Sequence, residues 1–170
     1  LSSPDFEGRE AGSKHDSAIA SYIANRMASY GFEPYFPEGP LHRFRYRNVE
    51  SWNVVMVYRG KNTSGALLVG AHYDHLGTGG KASGSLRPDT MAFHPGADDN
   101  ASGVSAAMEA ARLLKESTTR KRLKKDIIFA AFGAEEKGTI GSAMLADTLE
   151  KMGSLPSLMI NLDMVGRLRD

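Results

Sequence analysis

Apolar residues Ile19, Tyr22, Ile23, Met27 and Tyr30 recur at three- and four-residue steps behind Ser13, and Gly31 stands where a helix C-cap belongs. This stretch predicts a first helix. The aliphatic runs Val54 to Tyr58 and Ala66 to Ala71, bounded by Gly60, Gly65 and Gly70, predict buried strands, with Leu41, Phe44 and Tyr46 on an edge strand. From Ala101 to Lys115 the residues Val104, Ala107, Met108, Ala111 and Leu114 mark one helical face. Asp126 to Phe132 then reads as a strand, Ser142 to Met152 as a helix and Leu158 to Leu162 as a further strand. Near-continuous apolar strands alternating with helices predict an α/β three-layer sandwich, a mostly parallel mixed sheet with helices on both faces.

Composition narrows this picture. The 170 residues suit one domain over the whole of 1–170, and a 41% hydrophobic, 24% charged composition excludes a disordered chain. Twenty-one basic against twenty acidic side chains leave a net charge of +1, so no overall field favours nucleic acid or an anionic membrane. The run Arg120 to Lys125 reads as a solvated connection. No apolar run approaches the roughly 20 residues that span a bilayer, and Leu1-Ser2-Ser3-Pro4 lacks the layout of a signal peptide, as a trimmed secreted protein also would. With no cysteine, any metal must sit on His, Asp and Glu. The Gly-rich stretch Gly77 to Gly84 predicts a ligand-shaping loop. Asn62-Thr63-Ser64 and Asn100-Ala101-Ser102 match the N-glycosylation pattern.

Four ionisable clusters fall after expected strands or at a loop-to-helix junction: His72 with Asp74 and His75, Asp98 with Asp99, Glu135 with Glu136, and Asp163. In open α/β sheets, side chains from separate strand ends converge on one crevice outside the carboxyl ends. Carboxylates crowded there repel unless they share protons or a cation. Oxygen and imidazole donors without sulfur suit zinc, manganese or cobalt. Taken singly, the Asp pair could be a helix N-cap and the Glu pair a helix-start charge pair. Their common topological position favours a shared metal centre with one carboxylate left over as a base. Gly103-Val104-Ser105-Ala106-Ala107 nearly matches a nucleophile elbow but lacks its second glycine and lies inside a helical pattern.

The strings Gly70-Ala71-His72-Tyr73-Asp74-His75-Leu76-Gly77, Pro95-Gly96-Ala97-Asp98-Asp99-Asn100-Ala101-Ser102-Gly103, Phe132-Gly133-Ala134-Glu135-Glu136 and Asn161-Leu162-Asp163-Met164-Val165-Gly166 closely resemble the co-catalytic di-zinc aminopeptidase family, with Phe6-Glu7-Gly8-Arg9 as its lead-in. The resemblance implies a zinc-dependent metallopeptidase acting on peptides with a free N-terminus, secreted or periplasmic. By the same resemblance His72, Asp98 and Asp163 hold one zinc, Asp98 and Glu136 the other, Glu135 is the general base, and Asp74 orients the His72 imidazole. It also places a cis peptide at Asp98-Asp99. The family's last ligand is a histidine downstream of the final Asp motif, whereas the seven residues after Asp163 contain none, and His15, His42, His75 and His94 all lie upstream. The expectation is therefore a fragment of a longer enzyme, weakly active or inactive, whose His72/Asp98/Asp163 zinc site is the better formed, with His75 shaping the crevice mouth and His75 and His94 read as loop residues ahead of the lesser alternative that either is a surrogate ligand. Rival readings on the same fold are a single-zinc glutaminyl-cyclase-like acyltransferase and a non-catalytic ectodomain.

Overall fold

The computed structural model describes residues 1–61, 65–117 and 123–167. Asn62-Thr63-Ser64 and the Arg120 to Arg122 part of the basic run lie outside the described residues. Helix α1 spans Asp16–Ser29, with Ile19, Ala20, Ile23 and Met27 wholly buried. Its last turn closes at Gly31, whose φ of 83° is the left-handed geometry a glycine supplies. Tyr22, expected on the same face, is 43% exposed, because its position lies at the flank of the Ile19–Ile23–Met27 stripe.

Strands β1 (Glu33–Pro34), β2 (Leu41–Tyr46) and β3 (Val49–Tyr58) precede β4 (Ala66–His72), β5 (Asp126–Phe132) and β6 (Leu158–Asn161). β3 is twice the length of the apolar run that announces it, since Glu50, Ser51 and Asn53 interrupt the hydrophobic signal while β2 pairs along that half. The sheet runs β1-β3-β5-β4-β6, with β2 also on β3. It is mixed: β5, β4 and β6 are parallel, while β1, β2 and β5 pair antiparallel with β3. Parallel geometry is thus confined to the three strands that carry the site, a narrower span than the sequence pattern suggests.

Helices α2 (Gly103–Glu116) and α3 (Ile140–Lys151) complete the layers. Side chains alternate across the strands. Val54, Met56, Phe129 and Ala131 pack with α1 and α2 through Ile23, Met27, Val104 and Ala107. Val55, Val57, Ile128 and Ala130 pack with α3 through Leu145 and Leu149. Helices therefore cover both faces, and Ser105 of the near-elbow lies inside α2.

Candidate metal centre

Because β5, β4 and β6 are parallel and adjacent, their carboxyl ends lie at one edge of the sheet. His72 is the last residue of β4, Glu135 and Glu136 sit in the turn after β5, and Asp163 follows β6. Asp99 arrives from the turn Ala97–Ser102 that leads into α2. His72 Nε2 lies 3.2 Å from Asp99 Oδ1, 3.6 Å from Asp163 Oδ1 and 3.8 Å from Glu135 Oε2. On the other side of the same carboxylate, Asp99 Oδ2 stands 3.9 Å from His75 Nδ1, which is 2.8 Å from Glu136 Oε1. Two donor groups result, His72/Asp99/Asp163 and His75/Asp99/Glu136, each with its atoms within 4.8 Å of one another.

The structure therefore corrects the expected register by one residue: the shared carboxylate is that of Asp99, and Asp98 points elsewhere. Asp98 Oδ1 accepts from Gly166 N at 2.9 Å, and its main-chain oxygen accepts from Ser102 Oγ at 2.6 Å. The cis peptide likewise lies at Asp99–Asn100 rather than Asp98–Asp99. Asp99 is extended, at φ −99° and ψ 102°, so adjacent side chains diverge and only one of the pair enters the crevice. Asn100, fully buried, ties this turn to the loop after β6: Oδ1 accepts from Gly103 N and Met164 N, and Nδ2 donates to Leu162 O.

Asp74 holds the other side. Its two oxygens accept the main-chain N–H groups of Glu135 at 2.9 Å and Glu136 at 3.2 Å, so one buried carboxylate sets both glutamates. Its Oδ1 is 3.7 Å from His72 Nδ1, which lies closer, at 3.2 Å, to the Asp74 main-chain oxygen. Either partner keeps Nδ1 occupied and leaves Nε2 facing the crevice.

Arg9 was legible only as part of a lead-in motif, yet it is almost wholly buried and braces the site. Its guanidinium donates to the carbonyls of Tyr73, Leu1, Pro95 and Gly96. These contacts clamp the chain beside His72 to the chain leading into Asp99. Gly96, at φ 54°, is required there: an added Cβ would stand 2.5 Å from Arg9 Nη2 and 2.6 Å from His75 Cδ2.

The clustered groups shift one another's ionisation. Burial and the Glu136 charge push the Asp99 carboxyl up against the opposing pull of His75 and His72. Burial likewise raises Glu135, with Asp74, Glu136 and Asp163 adding to it and His72 opposing. Burial also works against a charged His72, but Asp74, Glu135 and Asp163 outweigh it and push the imidazole up to about 9. For Glu136 burial is outweighed by the His75 hydrogen bond and the nearby cations, and its pKa falls. A divalent ion replaces the protons that such a cluster otherwise holds. Tetrahedral ligands about 2.0–2.1 Å from one zinc stand about 3.3 Å apart. The 3.2 Å and 3.6 Å separations around His72 Nε2 fit that spacing, and the nitrogen and oxygen donor set suits the metal. Beside the cluster a cavity of about 220 Å³ is lined by Phe132, Thr139, Ser142, Met159 and Asn161 together with His72, Glu135 and Asp163.

Fold and site together define an open α/β sheet protein with an imidazole–carboxylate cluster at its strand ends. Residues 53–170 match the family model of Peptidase family M28, and the chain belongs to that family. It is 36% identical over 132 residues to aminopeptidase YwaD of Bacillus subtilis, covering 76% of this chain and 25% of YwaD. Among solved structures it resembles BSAP, a zinc aminopeptidase from Bacillus subtilis, at 36% identity and a TM-score of 0.53 over 71% of this chain and 26% of that one. LapA of Legionella pneumophila shares the fold, with a TM-score of 0.74 at 23% identity over 97% of this chain and 41% of that one. The chain spans less than half the length of the curated relatives it matches.

Proposed function

We propose that this chain carries the metal-binding core of a zinc aminopeptidase that holds two ions and acts on peptides with a free N-terminus. One observation carries the reading: the two oxygens of Asp99 face two different donor groups, while Glu135, 3.8 Å from His72 Nε2, belongs to neither. His72, Asp99 and Asp163 would hold one ion, and Asp99 and Glu136 the other. Bound there, zinc supplies a Lewis acid that polarises the scissile carbonyl and makes water more acidic.

The chain's own residues do the rest. Glu135, its carboxyl raised by burial, takes the proton of the attacking water and passes it to the leaving amine nitrogen. Asp74 keeps that carboxylate in place by binding the Glu135 main-chain N–H. Arg9 and Asn100 fix the loops that bring Asp99 to His72.

Leucine p-nitroanilide and its N-acetyl derivative test the proposal. The zinc-loaded chain, weak though its turnover is expected to be, should hydrolyse the free-amine substrate at least about 100-fold faster than the acetylated one, and a chelator is expected to stop the reaction. Equal hydrolysis of both, or chelator-resistant turnover, would overturn it.

A further inference from the structure

We infer that Asn53 is a positioning residue for the turn that carries Glu135 and Glu136: its side-chain amide fastens both ends of residues 133–141, and His42 keeps that amide facing the right way. The inference rests on the reading of Glu135 as the base and adds to it two residues that lie outside the metal cluster.

Asn53 is wholly buried, one residue before the β3–β5 pairing that begins at Val54 and Ala131. Its Oδ1 accepts from Gly133 N at 3.2 Å, and its Nδ2 donates to Gly141 O at 2.8 Å. One amide thus joins the point where the chain leaves β5 to the first turn of α3. Gly141 leaves room for this closure, since a Cβ there would strike the Gly133 carbonyl and stand 2.5 Å from Asn53 Oδ1.

The turn so closed is strained. Ala134 and Thr139 both hold φ at 55°, the left-handed region that L side chains occupy at a cost, and they lie on either side of the two glutamates. Such a conformation persists only where the surroundings over-determine it. Asp74 grips the middle of the turn through the Glu135 and Glu136 N–H groups, and Asn53 grips its two ends.

His42 completes the arrangement. It stands opposite Asn53 in the β2–β3 register, with Nδ1 at 3.1 Å from Asn53 Nδ2. Gly141 O can only accept and Gly133 N can only donate, so the amide nitrogen faces Gly141 and its second N–H reaches His42. His42 Nδ1 therefore accepts, and Nε2–H donates to Thr148 Oγ1 at 3.0 Å, which donates in turn to Met144 O at 2.9 Å. Burial lowers the His42 pKa, in keeping with a neutral ring.

Asn53→Ala and His42→Ala test the inference against Val57→Ala, a truncation of a wholly buried residue of the same strand that packs on the α3 side of the core. Amide hydrogen exchange of the zinc-free proteins is read by NMR as the rate at Glu135 and Glu136 relative to Ile128, Phe129 and Ala130. That ratio is expected to rise at least about 10-fold in Asn53→Ala and by less in His42→Ala, whereas in Val57→Ala turn and strand speed up together. An unchanged ratio in Asn53→Ala, or an equal rise in Val57→Ala, would overturn the inference. Should Asn53→Ala fail to fold, His42→Ala decides it: a ratio no higher than that of Val57→Ala would overturn it.

The second readout is kinetic. At saturating zinc, Asn53→Ala is expected to lower kcat for leucine p-nitroanilide about 10-fold or more with KM within about 2-fold, and Val57→Ala to keep kcat. Full kcat in folded Asn53→Ala, or a loss confined to KM, would overturn the positioning role. No hydrolysis by the unsubstituted protein would count against the aminopeptidase reading instead, and the exchange ratio would still decide whether Asn53 anchors the turn.

Discussion

Asp99→Ala is expected to strip the protein of both zinc ions, whereas Asp98→Ala is expected to leave metal content unchanged. Each oxygen of Asp99 belongs to a different donor group, so its loss leaves His72 and Asp163 on one side and His75 and Glu136 on the other. Two ligands hold zinc far more weakly than three, and the carboxylate that screens one ion from its neighbour goes too. Affinity should fall by about three orders of magnitude or more, as expected for a ligand when orienting partners alone are worth 10–100-fold. The Asp98 carboxylate, by contrast, accepts from Gly166 N, and its removal should cost about 1 kcal/mol of stability. Elemental analysis of the two dialysed variants reads the difference. Equal zinc loss in both would contradict the geometry.

Glu135→Gln is the second large effect expected, and it is kinetic. The amide keeps the size and much of the hydrogen bonding of the carboxylate but cannot accept the proton of an attacking water. Glu135 lies outside both donor groups, so zinc content should stay at the level of the unsubstituted protein. Turnover should fall by about 10²–10⁴-fold, the usual contribution of a general base, with KM little changed. Loss of zinc along with activity would mean that Glu135 is a ligand and that the base lies elsewhere.

Much of this was legible in the sequence because local pattern and tertiary packing agree. Asp126 to Phe132 and Ala66 to His72 are apolar on both faces because helices cover both sides of the sheet there. The clusters at their ends could therefore be placed at one edge before any coordinates. What the pattern hides is orientation. Asp98 and Asp99 are the same residue type in adjacent positions, and which of them enters the crevice depends on the extended backbone at Asp99.

The role of Arg9 and the partner of His75 were hidden for a related reason. Both come from contacts 61 to 87 residues apart in the chain, as in the Arg9 bonds to Tyr73 and Gly96 and the His75 bond to Glu136, and such contacts leave no local periodicity. The first half of β3 escaped because Glu50 takes an exposed bond from Arg43, Asn53 donates a buried one to the Gly141 carbonyl and Ser51 pairs opposite Phe44, so these positions form no apolar face.

The central claim is that residues remote in sequence form one dinuclear centre around Asp99. An anomalous difference map recorded at the zinc edge from crystals of the zinc-loaded protein tests it most directly. Two peaks about 3–4 Å apart are expected, both within bonding distance of the Asp99 carboxylate. Peaks bound to other surfaces, with none touching Asp99, would contradict it.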